Sequence, residues 1–222
     1  KNPKIVEKEI HNIIAQTIMD NSCFFMKEFM KYPEIIDINH HIVDFYIGDE
    51  EEEEEKEFDT FLSIAIRERN SKAIEILLNH PNINIKEKID YTLPFHLAIY
   101  TNSDLKILDL FFNHPKFDID AQDDYSGMNP LGAAIIRGNF YAIGHIMERF
   151  PDCINSLSPY FIKLCFKDDR RMCAKILVKS LLSNNEDKSD EEIIEELKTQ
   201  NGLEEYADKL RDILKDLRHS LK

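Results

Sequence analysis

Four cysteines, eight histidines and an excess of carboxylates are the residues of this 222-residue chain that could do chemistry. Cys23, Cys153, Cys165 and Cys173 contain no CxxC pair and no zinc-type spacing with histidine, so they read as small core hydrophobes in a reducing compartment. A thiol nucleophile at Cys165 or Cys173 would need a histidine brought from far along the chain, and both lie in apolar helical patterns that bury them. His40 and His41 are adjacent, and His80 and His114 each precede a proline. A metal needs three or four converging ligands, and nothing local supplies them. These two proline-linked histidines are therefore expected to cap helix C-termini, and no metal or cofactor is expected. The six glycines form no phosphate-cradling loop, and GxSxG, HExxH and the kinase set are missing. The expectation is a chain that is not an enzyme.

Charge narrows the partner. Lys and Arg number 28 against 42 Asp and Glu, a net charge of −14, which disfavours nucleic acid because phosphates must be met by cations. It favours a protein partner with a basic surface, or simply solubility. No apolar stretch reaches the ~18 residues that span a bilayer, so no membrane insertion is expected. A monomer in the cytoplasm is the expected state. The chain opens at Lys1 rather than methionine, which predicts a piece of a longer protein. The run Glu50 to Glu55 cannot form a core and is expected to be a solvated loop.

The elements that position these residues show themselves through punctuation. An aromatic or histidine followed by proline recurs as Tyr32-Pro33, His80-Pro81, His114-Pro115 and Phe150-Pro151, with prolines 48, 34 and 36 residues apart. Each pair closes an apolar helical pattern, since proline lacks the N–H and clashes with the preceding turn. The long interval contains the acidic run, which marks an insertion at about 42–57; Ile42, Val43, Phe45, Tyr46 and Ile47 within it are expected to be a short extended segment. Each unit reads as two short antiparallel helices around a polar turn, at Arg69-Asn70, Asn102 and Gly138-Asn139. The interval from a small residue in the first helix to the last apolar residue of the second is 13 in each of three copies, Ala65 to Leu78, Ala98 to Phe111 and Ala134 to Met147.

A period near 34 with this layout resembles the ankyrin repeat. Leu93-Pro94-Phe95-His96-Leu97-Ala98 and Asn129-Pro130-Leu131-Gly132-Ala133-Ala134 are similar to the family's Thr-Pro-Leu-His helix start. Asp124-Tyr125-Ser126-Gly127 is similar to its Asp-x-x-Gly turn, and His80-Pro81-Asn82-Ile83-Asn84-Ile85 stands where the family has Gly-Ala-Asp-Val-Asn. The resemblance is strong over 58–155, fair over 9–41 with Thr17 as the small residue, and fades over 156–182, where Cys165 takes that place. It implies an all-α, ankyrin-repeat-like solenoid of helix-turn-helix units that binds a partner protein through a concave groove and its turn tips. Carried over by position, the groove residues are Arg67, Glu68, Tyr100, Thr101, Ile136 and Arg137, with Lys167 and Asp168 further along. The projecting turns are Asp90, Tyr91, Thr92, Tyr125, Ser126 and Met128. Tyr, Arg and Met are residue types enriched in interface anchors. His96 is implied to bond backbone between repeats.

No repeat is assignable to 183–222. Ser189-Asp190-Glu191-Glu192 reads as a capping box opening a helix that ends at Asn201-Gly202. Leu203, Tyr206, Leu210, Ile213, Leu214, Leu217 and Leu221 then form one amphipathic stripe. The expected organisation is a repeat array over 1–182 and a helical C-terminal cap over 183–222, the last helix alternatively serving as a docking or dimerising element. An alternative function is the targeting or regulatory domain of a larger enzyme, such as a secreted effector.

Overall fold

The computed structural model describes residues 3–32, 36–43, 58–124, 127–167, 170–184 and 187–220. The acidic run Glu50 to Glu55, and with it Tyr125, Ser126 and Asp168, lies outside the described residues. The chain divides into two compact units, residues 1–117 with 123–127 and residues 118–122 with 128–222.

The first unit holds three helical pairs: α1 (Pro3–Met19) with α2 (Cys23–Phe29), α3 (Phe61–Arg67) with α4 (Ser71–Leu78), and α5 (Pro94–Tyr100) with α6 (Leu105–Phe112). The first helices pack α1 on α3 on α5, and the second helices pack α2 on α4 on α6. Their facing sides are buried: Ile14, Ile18, Phe61, Ile66, Ile74, Leu77, Ile99, Ile107 and Phe111 are within 1% of complete burial. Each such side chain stabilises the fold by about 1.5–3 kcal/mol relative to exposure. Of the segment expected to be extended, Ile42 and Val43 form β1 (Ile42–Val43), which pairs antiparallel with β2 (Phe58–Asp59), Ile42 opposite Asp59; Phe45, Tyr46 and Ile47 lie outside the described residues.

The second unit repeats the plan with α7 (Pro130–Arg137) and α8 (Phe140–Arg149), then α9 (Pro159–Cys165) and α10 (Arg171–Asn184), then α11 (Asp190–Asn201) and α12 (Ala207–Ser220). Here α7 packs on α9 and α9 on α11, while α8 packs on α10 and α10 on α12. The C-terminal stretch, to which the sequence assigns no repeat, therefore forms a further pair in the same ladder. Ser189 and Glu192 make the reciprocal capping box that starts α11, and Gly202 (φ +61°) ends it in the left-handed conformation. Leu210, Ile213 and Leu214 bury the apolar side of α12. Asp216 on that helix accepts hydrogen bonds from Lys175 and Arg171 of α10, which hold its carboxyl below the usual carboxylate range.

One turn geometry recurs between the first and second helices. Asn21 (φ +54°), Arg69 (+51°), Asn102 (+52°) and Gly138 (+64°) all adopt the left-handed conformation. The N–H of the next residue reaches the carbonyl five residues back in each case: Ser22 to Thr17, Asn70 to Ala65, Ser103 to Ala98 and Asn139 to Ala134, at 2.8–3.0 Å. These are Schellman closures, and the acceptor is the small residue of each repeat. That residue thus allows close helix approach and supplies the carbonyl that stops its own helix. The second helices then start on side-chain caps, with Asn70 accepting from the Ala73 N–H, Asp104 from Ile107 and Asn139 from Ala142. Asn70, which is buried, also donates to the Ile18 carbonyl of the preceding repeat.

Candidate functional site

In the first unit the chain between α4 and α5 is pinned before it projects. Ile83, Ile85, Ile89 and Leu93 are buried, and Asn39 binds this stretch on both sides, donating to the Asn82 carbonyl and accepting from the Asn84 N–H. The tip is a two-residue hairpin turn. Ile89 N–H donates to the Thr92 carbonyl at 3.0 Å, and Thr92 N–H returns to the Ile89 carbonyl at 2.9 Å. Its central residues, Asp90 (φ +50°) and Tyr91 (φ +64°), are both left-handed, the conformation that a primed hairpin turn requires.

An ion-pair chain runs along this tip. Arg67, at the end of α3, faces Asp59 at 3.4 Å and Asp90 at 3.8 Å, while Lys88 pairs with Asp124 of the following turn. The N–H of Asp124 also donates to the Tyr91 carbonyl at 3.0 Å. The carboxylates stand further out than their partners, Asp90 and Asp124 at 57% side-chain exposure against 35% and 34% for Arg67 and Lys88. Asp59, Lys88 and Asp124 escape a reading by motif. Lys88 and Asp124 occupy equivalent repeat positions with opposite charge, 36 residues apart, and that pairing was the signal available.

The residues expected to meet a partner divide by what the fold does with them. Arg67, Glu68, Asp90 and Tyr91 are exposed in the first unit, and Thr92 is half-buried. Tyr100 is half-buried, and its hydroxyl donates to the buried Asp123 carboxylate at 2.9 Å. Thr101 turns its hydroxyl back onto the carbonyls of Leu97 and Ala98, and its own carbonyl accepts from the Arg69 guanidinium. In the second unit Arg137 is exposed and Ile136 half-buried, while the Arg170 guanidinium donates to the carbonyls of Ile135 and Ile136. Met128 corrects the expectation of a projecting residue: it is 7% exposed, packed beside Gly132 of α7. It sits immediately before the cap residue Asn129, so its side chain turns inward where the chain enters the helix.

The candidate chemistry of the sequence is absorbed by packing. Burial, with the Asp120 carboxylate nearby, pushes the Cys153 thiol up to about 12. Burial likewise pushes the Cys165 thiol up, with Cys173 adding to the rise. Such thiols stay protonated at neutral pH and are poor nucleophiles. Cys153 lines a cleft of about 620 Å³ in the second unit, together with Asp120, Arg149, Phe150, Asp152 and Ser156. Ser156 donates to Asp120 there and accepts from the Asn129 amide. His80 and His114 cap differently from expectation: each Nδ1 accepts the backbone N–H two residues on, Asn82 at 3.3 Å and Lys116 at 3.2 Å. They hold the turn after the helix rather than the helix carbonyls. His96 is fully buried and meets Tyr100 edge to face, and His40 stacks on buried His11 at 4.0 Å. Among the described residues no group of three or more His, Cys, Asp or Glu is placed to hold a metal ion. No helix among them is long and apolar enough to cross a membrane.

Residues 95–143 match the sequence model of a family described as ankyrin repeats (many copies). No curated protein matches the chain. Among solved structures it is similar to the ankyrin repeat domain of Bcl-3, described as a unique member of the IkappaB protein family, at 19% identity and a TM-score of 0.47. The likeness covers 55% of this chain and 55% of that one, about half of each.

Proposed function

We propose that this chain, an ankyrin-repeat protein by its match over residues 95–143, is a non-catalytic module that recognises another protein through its turn tips and first-helix ends. The observation that carries the reading is a division of labour in the side chains. Apolar, Schellman and capping contacts occupy the interior of each unit, whereas Arg67, Glu68, Asp90, Tyr91 and Arg137 project from a fixed backbone. Rigid scaffolds that present variable loop residues are suited to recognition. The net charge of −14 favours a partner with a basic surface. The free thiols favour a reducing, cytoplasmic setting, and the chain acts there as a monomer.

Capture from cell lysate tests this, with the unmodified chain, Arg137→Glu and Tyr91→Ala as baits. Both variants lose the captured partner, while their unfolding free energies stay within about 0.5 kcal/mol of the parent, as for surface positions. Equal capture by all three baits contradicts the assignment.

A further inference from the structure

The five non-glycine residues held at positive φ among the described residues are not alike. Asn21, Asn102 and Asp90 are of the types that tolerate the left-handed region. Arg69 is not, but its guanidinium binds the Thr101 carbonyl. Tyr91 is a bulky residue at φ +64° whose side chain is 68% exposed. Counting back from the helix starts Pro94 and Pro130, the equivalent position one repeat later is Gly127, at φ +62°. The fold therefore asks for glycine where Tyr91 stands, and the ring gains little burial in return. A strained residue that persists without packing reward points to a use outside the fold.

Its surroundings indicate which use. Tyr91 follows Asp90 in the chain, and its carbonyl accepts the Asp124 N–H. Both carboxylates are 57% exposed; Asp90 shares Arg67 with Asp59, and Asp124 pairs with Lys88. An exposed phenol on a tip that also carries exposed carboxylates attracts an organic cation both through the ring quadrupole and through charge. We infer that Tyr91 is the docking point for an arginine or lysine side chain of the partner protein, its cation lying on the ring with the Asp90 and Asp124 carboxylates beside it. The inference rests on the reading that the turn tips meet a partner, and it gives the chemistry of one contact.

The test is titration calorimetry of the whole chain with blocked hexa-arginine, and with blocked hexaglutamate as the charge control. Tyr91→Ala weakens hexa-arginine binding about three- to fivefold, the range of an exposed cation–π contact, whereas Tyr91→Phe binds within about twofold of the parent because the π face remains. Tyr91→Gly weakens binding as the alanine variant does but raises the melting temperature, because it relieves the backbone. Hexaglutamate does not bind. The inference falls if hexa-arginine fails to bind the parent, if Tyr91→Ala binds as tightly as the parent, or if Tyr91→Phe is as weak as alanine. It also falls if Tyr91→Gly lowers the melting temperature, which would make the ring structural. Partner capture that Arg137→Glu still abolishes would in those cases leave the wider reading standing; its failure as well would remove both.

Discussion

Two junctions between repeats begin with similar punctuation and end as different structures. After α4, His80-Pro81 leads into a stretch with Ile83 and Ile85 buried at a spacing of two, which then projects as the hairpin Ile89 to Thr92. After α8, Phe150-Pro151 leads into a 3₁₀ helix, Pro151–Ser156, with Cys153, Ile154 and Leu157 buried at spacings of one and three. A spacing of two suits extended chain and a spacing of three suits helical turns. The residue before proline adds to the difference. Both chains close onto carbonyls at equivalent places, Ile83 N–H to His80 and Glu87 N–H to Asn84 in the first, Cys153 N–H to Phe150 and Leu157 N–H to Ile154 in the second, but the His80 imidazole also accepts the Asn82 N–H, which a phenyl ring cannot do. The first junction yields a strained, exposed tip, and the second yields a cleft. The contrast shows that the repeat specifies helix pairs, while the apolar spacing of each link specifies what is displayed.

The starts of α5 and α7 differ in a related way. Leu93 and Asn129 occupy equivalent positions before Pro94 and Pro130, but Leu93 makes no side-chain cap and is buried, whereas Asn129 accepts the Gly132 N–H and donates to Ser156. Leu93→Ala should cost about 3 kcal/mol by urea denaturation, the range of a buried leucine truncation. Asn129→Ala should cost about 2 kcal/mol, from a lost cap and a lost hydrogen bond. Equal losses in Leu93→Asn and Leu93→Ala would show that no latent cap exists at the first junction.

The smallest effect separates the junctions by pH. Burial lowers the pKa of His80 from 6.5, and burial together with Lys116 lowers that of His114. The unfolded chain therefore takes up these protons first as pH falls. Their stabilising contribution is complete above about 6.5 and is lost as pH drops from there through the lowered folded values. The second unit has Phe150 in this place, so His80→Phe with His114→Phe should flatten the acid limb of stability against pH. An unchanged limb in the double variant would remove the imidazole turns from the account.

The helix pairs from α3 to α8 were legible because prolines, turn residues and small residues recur in register, and each acts locally: proline stops a helix, and Ala65, Ala98 and Ala134 each supply a Schellman carbonyl; over 156–182 these signals fade. The pair α11 and α12 was legible as helices but not as a repeat. It follows no Thr-Pro-Leu-His-like start and no closing aromatic-proline or His-Pro pair, and only its packing on α9 and α10 reveals the ladder. The tips were partly legible. Asp90 and Tyr91 project as expected, but Met128 sits one step nearer the helix start and turns inward. Tyr100 reads as an aromatic anchor until its hydroxyl is found on the buried Asp123. The strain at Tyr91 has no signature in tyrosine itself; only the alignment of its position with Gly127 points to it.

On the proposed function, recognition belongs to the tips and first-helix ends while the second helices serve packing. Hydrogen exchange of the chain, free and bound to a captured partner, tests it most directly. Added protection is expected at Ile89 to Thr92 and at the C-terminal ends of α3 and α7, with α4, α6 and α8 unchanged. Protection confined to α4, α6 and α8, with the tip exchanging as in the free chain, would contradict it.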